Sequence, residues 1–251
     1  MNSNHKLSNA MATAAANDLV RMQPRAPYTK SPMVSGVCGI LFALIVPAAI
    51  SQEISAAEKL LFQSKHLVNV TDAQKLRYTY VHREGEGKDF TDEVIVDITK
   101  KNPDGTASAA SQFLSGDRQF PMDKLAEAEG NPAVLGFLER DIKEMKRLTG
   151  GQPNYFRKRI RIALAESAKV EPVSISYKGR DLKAQKIIIQ PYLNDPMQHK
   201  FAQYTDKRYT FILSDQIPGS LYQIQTSIPS KLQAGETSKD KLVEDTMTLA
   251  S

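Results

Sequence analysis

The densest group of charged side chains in the sequence lies in the segment YFRKRIRIAL, residues 155–164, where four cations occupy five positions. On a helix, Arg157, Lys158 and Arg161 would point away from the apolar side, with Arg159 at the border. Clustered cations of this kind can bind an anionic head group or an acidic partner, because both offer negative charge to the same face. The segment therefore predicts a site for a partner or an anionic head group.

A structural role is the favoured explanation of the same segment, and the docking site is the alternative. Its Arg and Lys stems can cover apolar surface while their charged ends stay solvated. The charged ends can also pair with carboxylates of the preceding residues, and exposed pairs of this kind contribute little stability. The carboxylates within reach of such a helix are Glu139, Asp141 and Glu144.

Catalytic and metal-binding motifs are absent from the sequence. His82 lies on the apolar side of a predicted strand, which favours a partly buried, hydrogen-bonded histidine over a metal ligand. His66 and His199 have no second histidine at i+2 or i+4, so zinc binding has little support. We therefore predict no catalytic residue, metal or cofactor, with a hydrolase of unfamiliar site as a less favoured alternative.

Hydrophobic periodicity predicts a helix followed by a short series of strands in the first part of the exported chain. Ser55 and Glu58 have the S-x-x-E form of a capping box, which indicates a helix from about 56 to 66. Apolar and polar residues then alternate in a way that is typical of strands. The predicted strands span residues 76–84, 92–100 and 107–114.

The middle of the sequence predicts a helical hairpin. Apolar side chains recur at helical spacing between Asn131, which can cap a helix, and Gly150, which can end it. Glu139 and Lys143 have the spacing of a favourable i,i+4 ion pair. A second helix, from about 153 to 166, follows after a short turn and carries the basic segment.

After residue 170 the period of the apolar residues returns to two, which predicts further strands. Because short turns join these strands, neighbouring strands must be antiparallel. Their continuous apolar face could line a pocket for a lipid or could form an ordinary packed core. The candidate ligand-binding side chains on this face are Tyr209, Phe211, Leu213, Tyr222 and Ile224.

The succession of elements predicts an α+β fold with a large curved antiparallel sheet. A helix, a short β meander, a helical hairpin and a longer β meander follow one another along the chain. The sheet can therefore pack as an open half-barrel against the hairpin and the N-terminal helix. About 200 residues are enough for one domain, which we predict to span residues 52–251.

An export signal is predicted near the N-terminus. Residues 34–50, VSGVCGILFALIVPAAI, carry no charge and follow three cations, which is the layout of a secretory signal peptide. The run is shorter than the roughly 20 residues of a membrane span, and the small residues at its end predict cleavage before Gln52. Residues 1–51 are thus predicted to be an extension with a cleavable signal peptide, and the mature protein to be periplasmic. An uncleaved membrane anchor is the alternative.

Removal of the signal changes the charge and the cysteine content. The whole chain has 33 basic and 28 acidic residues, a formal net charge of +5, whereas residues 52–251 have 29 and 27, a net charge of +2. The single cysteine, Cys38, is lost as well, which excludes thiol chemistry and disulfides in the processed protein. A nearly neutral exported protein is a poor nucleic-acid binder, so we predict no nucleic-acid partner.

Several segments resemble known exported proteins. The run GNPAVLGFLERDIKEMKRLTGGQPNYFRKRIRIAL, with ISYKGRDLKA and RYTFILSDQIPGSLYQIQT, resembles uncharacterised exported proteins of Gram-negative bacteria. The order of strands and helices also resembles the periplasmic lipoprotein-carrier superfamily, in which an open β half-barrel holds acyl chains against a helical lid. Since no residue motif of those carriers is matched, this resemblance implies an architecture and no binding residue.

Two functions follow as hypotheses. The first is a non-enzymatic periplasmic binding or carrier protein for a lipid, a lipoprotein or another acylated partner, held between sheet and helices. The second is a structural or assembly protein of the cell envelope that acts through surface contacts with envelope proteins or, peripherally, with a membrane. A cavity beneath the helices would favour the first function, and a solid core there would favour the second.

Overall fold

The computed structural model describes residues 53–84, 88–229 and 243–251. The predicted extension and signal peptide, residues 1–51 with Cys38, lie outside these ranges. No helix within the described ranges has both the length and the apolar character needed to cross a membrane.

Three helices and nine strands are the main elements of the described part of the chain, which also contains four short 3-10 helices. Helix α1 spans Ala56–Glu58 and continues as a π-helical turn over Lys59–Gln63, α2 spans Pro132–Thr149, and α3 spans Pro153–Glu166. The strands are β1 (Lys75–Arg83), β2 (Phe90–Lys101), β3 (Ala107–Phe113), β4 (Leu125–Ala128), β5 (Lys169–Tyr177), β6 (Arg180–Ile189), β7 (Arg208–Leu213), β8 (Leu221–Ile228) and β9 (Val243–Leu249).

All nine described strands form one antiparallel sheet with the order β4-β3-β2-β1-β9-β8-β7-β6-β5. The first meander, β1 to β4, and the second, β5 to β8, form its two halves. The C-terminal strand β9 joins the halves, because it pairs with β1 on one side and with β8 on the other. Strands β4 and β5 remain at the two edges, so the sheet is open. The predicted α+β fold with a large curved antiparallel sheet is confirmed.

Helix α1 begins with the predicted capping box. The Ser55 hydroxyl accepts a hydrogen bond from the Glu58 amide and the Glu58 carboxylate accepts one from the Ser55 amide, both at 3.1 Å. The helix ends at Gln63, a few residues earlier than predicted. It ends there because Ser64 has extended backbone and its hydroxyl donates to the Lys59 carbonyl at 3.0 Å, which closes the last turn.

The predicted helical hairpin is also confirmed. The Asn131 side-chain oxygen accepts from the Ala133 amide at 3.1 Å and caps α2. Gly150, with φ of 70°, ends the helix in the left-handed conformation that glycine adopts without strain. Three residues later α3 begins at Pro153, whose fixed φ suits the first helical turn.

The predicted ion pair between Glu139 and Lys143 within α2 is wrong. Arg157 of α3 donates from Nε to Glu139 Oε1 at 2.7 Å, so the Glu139 carboxylate joins the two helices instead. The Lys143 ammonium lies over the Phe120 ring, 5.7 Å from its centre. A guanidinium that binds the carboxylate with two nitrogens competes better than a flexible ammonium on the same helix.

Asn131 also ties the start of α2 to the sheet. Its amide group donates to the Tyr78 hydroxyl at 2.7 Å and to the Gly219 carbonyl at 2.8 Å. Its backbone N–H donates to Nδ1 of His66 at 3.1 Å, which requires the His66 proton on Nε2, 2.7 Å from the Leu60 carbonyl. Burial lowers the pKa of His66 below its ordinary value and keeps this ring neutral.

Replacement of Asn131 tests this anchor. We expect Asn131→Ala to lower the free energy of unfolding by about 3 kcal/mol, because the cap is lost and buried polar partners are left unpaired. Gln152 has the equivalent position before α3 but makes no side-chain cap bond, so Gln152→Ala should change it by less than about 0.5 kcal/mol. Chemical denaturation measures both, and equal effects would contradict the anchoring role.

Candidate functional site

A row of polar side chains crosses the middle of the sheet beneath α2. The strand registers place His82 opposite Asp245, Asp245 opposite Thr226, and Thr226 opposite Tyr209. Residues directly opposite each other on neighbouring strands share a face of the sheet. These four side chains, which we call the polar row, therefore lie in one line on the face that carries the core and the helices.

Helix α2 brings two opposite charges to this row. The Arg140 guanidinium lies 3.7 Å from the Asp245 carboxylate. The next residue, Asp141, binds the Lys207 ammonium and accepts a hydrogen bond from the Tyr209 hydroxyl at 2.6 Å. Consecutive residues project about 100° apart on a helix, so the two side chains reach different strands. One turn of α2 thus forms two ion pairs of opposite polarity: the helix supplies the cation in the pair with Asp245 and the carboxylate in the pair with Lys207.

The ion pair of Asp141 and Lys207 is almost completely buried from solvent. The side chains of Asp141 and Lys207 are 3% and 5% exposed. The Tyr192 hydroxyl also belongs to this cluster, because it lies 3.1 Å from the Tyr209 hydroxyl. Burial and the Asp141 carboxylate raise the pKa of Tyr209 well above its ordinary value, so its hydroxyl stays protonated and donates. A buried pair of this kind tolerates the loss of neither partner, because the other charge would remain without compensation.

His82 forms the more accessible end of the polar row. Its Nδ1 lies 2.8 Å from an Asp245 oxygen, its Nε2 lies 3.6 Å from a Glu84 oxygen, and its ring stacks on Phe90. The hydrogen bond to Asp245 raises the pKa of His82, although partial burial opposes this. Burial works to raise the pKa of Asp245, but the His82 hydrogen bond and the Arg140 charge lower it overall.

Carboxylates lie near both ring nitrogens of His82 and stabilise its imidazolium form, in which both nitrogens are donors. The prediction of a partly buried, hydrogen-bonded His82 is confirmed. Within the described ranges, no three His, Cys, Asp or Glu side chains are grouped so that they could hold a metal ion.

Four of the five predicted ligand-binding side chains belong to the closed core. Tyr209, Phe211, Leu213 and Ile224 are all buried, and Phe211 and Ile224 have 0% accessible surface. A side chain that lined a cavity large enough for water would itself have accessible surface. The sheet and the elements above it are therefore in direct contact at these positions.

The fifth predicted residue, Tyr222, lies at a β-bulge. Phe211 pairs with Ile224 but Leu213 pairs with Leu221, so Tyr222 is the extra residue of β8. Its ring is half-buried and its hydroxyl donates to the Ser176 carbonyl at 3.4 Å. The bulge interrupts the period of two that placed Tyr222 and Ile224 on one face, and the wholly buried Leu221 takes the inward position instead.

A concave feature beside the helical hairpin lies away from these five residues. It is a shallow depression of about 380 Å³ at the C-terminal end of α2, where Leu148 and Thr149 face residues 200–204. Its wide opening makes it a surface feature and not an enclosed pocket for an acyl chain.

The basic segment of α3 divides into paired and unpaired cations. Arg157 binds Glu139, and Arg159 lies 2.6 Å from Asp195. Lys158 and Arg161 are exposed and form no ion pair within the part of the chain that the structure describes. The structural role predicted for the segment thus fits Arg157 and Arg159, and the docking role can rest only on the other two cations.

The other two carboxylates predicted as partners of this segment bind elsewhere. Asp141 binds Lys207, and Glu144 binds Arg147 of its own helix. Two signals for the polar row were nevertheless present in the sequence. Asp141 interrupts the apolar side of α2, and Asp245 interrupts the alternating apolar positions of β9. A charge at a position that the period assigns to the core indicates a buried partner.

Comparisons with known proteins assign no relative. No model of a known protein family matches the chain, and the search of curated proteins gives no match.

The buried ion pair gives the first test of the site. We expect Lys207→Met to lower the free energy of unfolding by about 3 kcal/mol, because Asp141 stays charged and buried. Adding Asp141→Leu should recover at least half of this loss. Glu171→Gln, in the more exposed pair with Lys186, should cost less than about 1 kcal/mol. Denaturation curves measure the free energy of unfolding of all three variants. A double variant that is less stable than Lys207→Met would contradict the explanation that an unpaired buried Asp141 causes the loss.

The pKa of His82 gives a second test. The pKa of His82 in the folded protein is raised above its ordinary value of 6.5. Protonated His82 therefore contributes stability that is complete below pH 6.5 and is lost as the pH rises through the folded-state pKa. We expect His82→Gln to cost more unfolding free energy at about pH 5.5 than at about pH 9. His199→Gln, at an exposed histidine, is the control. A cost for His82→Gln that is independent of pH would contradict this charge interaction.

Proposed function

We propose that this protein is an exported, non-enzymatic component of the Gram-negative cell envelope that acts through its surface, in a structural or assembly role. The observation that carries the proposal is the closed packing at the predicted pocket, where Phe211 and Ile224 have no accessible surface. A carrier would need accessible apolar volume at this position in the state that receives its ligand.

The polar contacts of α2 support a hairpin that stays on the sheet. An acyl chain could enter between them only if α2 moved away, and this would separate Asp141 from Lys207 and from the Tyr209 hydroxyl. If only one member of the Asp141–Lys207 pair is exposed to water, the other remains buried as a charge without its partner. The contacts therefore act against opening at the position where a carrier would bind its ligand.

The sequence supports export. Residues 34–50 have the uncharged run, the preceding cations and the small residues of a signal peptide, with cleavage before Gln52. The only cysteine of the chain, Cys38, falls inside that segment, so the processed protein needs no protection from oxidation. The two ring nitrogens of His82 face Asp245 and Glu84 within the protein, and this arrangement supports a non-enzymatic role.

A lipid carrier is the second candidate, because the sheet is open and a helical hairpin covers one of its faces. Native mass spectrometry of the protein as it accumulates in the periplasm of a Gram-negative host separates the two candidates. Surface action predicts the mass of the polypeptide alone and no uptake of a fluorescent fatty acid. A bound phospholipid or acyl chain that is lost in Phe211→Ala would contradict the proposal and favour the carrier.

Site-specific photo-crosslinking in intact cells gives the complementary measurement. A photoreactive residue at position 158 samples the helical surface, and one at position 183 samples an exposed position of β6. Surface action predicts a defined adduct at one or both positions. The absence of any adduct at both would contradict it.

A further inference from the structure

We propose that the outer side of the helical hairpin docks on the anionic phospholipid surface of the membrane, an inference that rests on the proposed function and names the partner. This surface, called the hairpin face, consists of Leu135, Glu139, Lys143, Lys146, Lys158 and Arg161.

Helical spacing places these residues on one side. The α2 members follow at intervals of four, four and three residues, which is the repeat of one helix face. The opposite side of α2 is buried against the sheet, through residues such as Phe137 and Asp141. On α3, Lys158 and Arg161 are three residues apart and point away from the buried Phe156, Ile160 and Leu164. The hairpin face is therefore the side of both helices that the sheet leaves uncovered.

The register of the hairpin brings the two halves of the face together. Arg157 of α3 binds Glu139 of α2, and the two helices run in opposite directions because a short turn joins them. One turn further along α3 is Arg161, and one turn back along α2 is Leu135, so these two residues lie side by side. A cation thus lies beside a leucine that is 41% exposed.

Charge is concentrated on this side of the molecule. With Arg157 included, the side carries five cations and one carboxylate, Glu139, which Arg157 already binds. The whole of residues 52–251 has a net charge of only +2, so the remainder of that chain is net acidic. A face with unpaired cations and an exposed leucine complements an anionic surface that has an apolar interior.

The position of Ser55, near the start of the described chain, favours a bilayer over other anionic partners of the hairpin face. The Ser55 hydroxyl donates to the Leu164 carbonyl at 2.9 Å and so fixes the beginning of α1 at the C-terminal end of α3. That is the end of the hairpin that carries Arg161 and Leu135. Three residues separate Ile50, the last residue of the apolar run, from Ile54, and the four residue-to-residue steps between them can span at most about 14 Å. Until the predicted cleavage before Gln52, a signal peptide at residues 34–50 would keep this end of the hairpin close to the bilayer surface.

A tryptophan probe tests the docking directly. The chain contains no tryptophan, so Leu135→Trp reports on the hairpin face alone, whether or not residues 34–50 are retained. We expect its emission to shift to shorter wavelength with vesicles that contain phosphatidylglycerol and to stay unchanged with vesicles of pure phosphatidylcholine. In high salt, the emission of the vesicle-bound protein should return to the wavelength of the free protein. Thr79→Trp is the control, because Thr79 is exposed on β1 and its side chain points to the other face of the sheet.

Charge variants in the Leu135→Trp protein identify the residues that bind. Each cation near an anionic surface adds roughly fivefold to partitioning, so Lys158→Gln with Arg161→Gln should weaken vesicle binding about 25-fold. Lys158→Arg with Arg161→Lys should restore it. Arg180→Gln with Lys183→Gln removes the same charge from exposed positions of β6 and should leave binding within about twofold. All four changed residues are exposed, and thermal unfolding checks that each variant is folded.

Three results would overturn the inference: equal weakening by both double variants, a spectral shift that is the same for anionic and zwitterionic vesicles, or no spectral shift with any vesicle. A spectral shift absent from all vesicles, together with a crosslinked envelope protein at position 158, would make a protein the partner and leave the proposed function in place. A bound acyl chain in the native mass spectrum would instead remove the proposed function.

Discussion

Two ion pairs of opposite polarity determine how helix α2 lies on the sheet. Arg140 faces Asp245 while Asp141 binds Lys207, and a rotation of the helix by one residue would bring like charges together. Apolar packing alone permits small rotations at low cost, since Leu, Ile and Val side chains can exchange places. Largely buried charges do not permit this, because each one needs its own partner. The alternation of charges therefore specifies one packing of the hairpin.

The same two pairs connect parts of the chain that are far apart in sequence. Asp245 belongs to β9 and Lys207 precedes β7, whereas both partners are consecutive residues of α2. The pair of Arg140 and Asp245 can form only when β9 has entered the sheet between β1 and β8. The central position of the last strand and the position of the helix thus depend on each other, which joins the two meanders into one cooperative unit.

The local elements could be predicted from the sequence, and the long-range contacts could not. Caps at Ser55 and Asn131 and the periods of the helices and strands depend on neighbours within a few residues, so pattern reading recovers them. The pairing of Tyr78 with Leu249 depends on residues at opposite ends of the domain. The bulge at Tyr222 has no marker such as glycine, so the period of two was extended through it. Buried partners such as Lys207 and Asp195 lie in irregular segments without periodicity, although Asp141 and Asp245 stood out as charges at core positions.

These constraints leave the hairpin with one side that is fixed by buried contacts and one side that is exposed. The inner side of α2 packs on the polar row and carries buried apolar side chains such as Val134 and Phe137, and Arg159 of α3 is held by Asp195. None of these groups can change partners without exposing a buried charge. The outer side makes one bridge, from Arg157 to Glu139, and leaves Lys158 and Arg161 exposed. Since an exposed cation costs little to bring to an anionic surface, whereas moving a buried ion pair costs several kcal/mol, binding at the outer side leaves the fold unchanged and binding at the inner side does not.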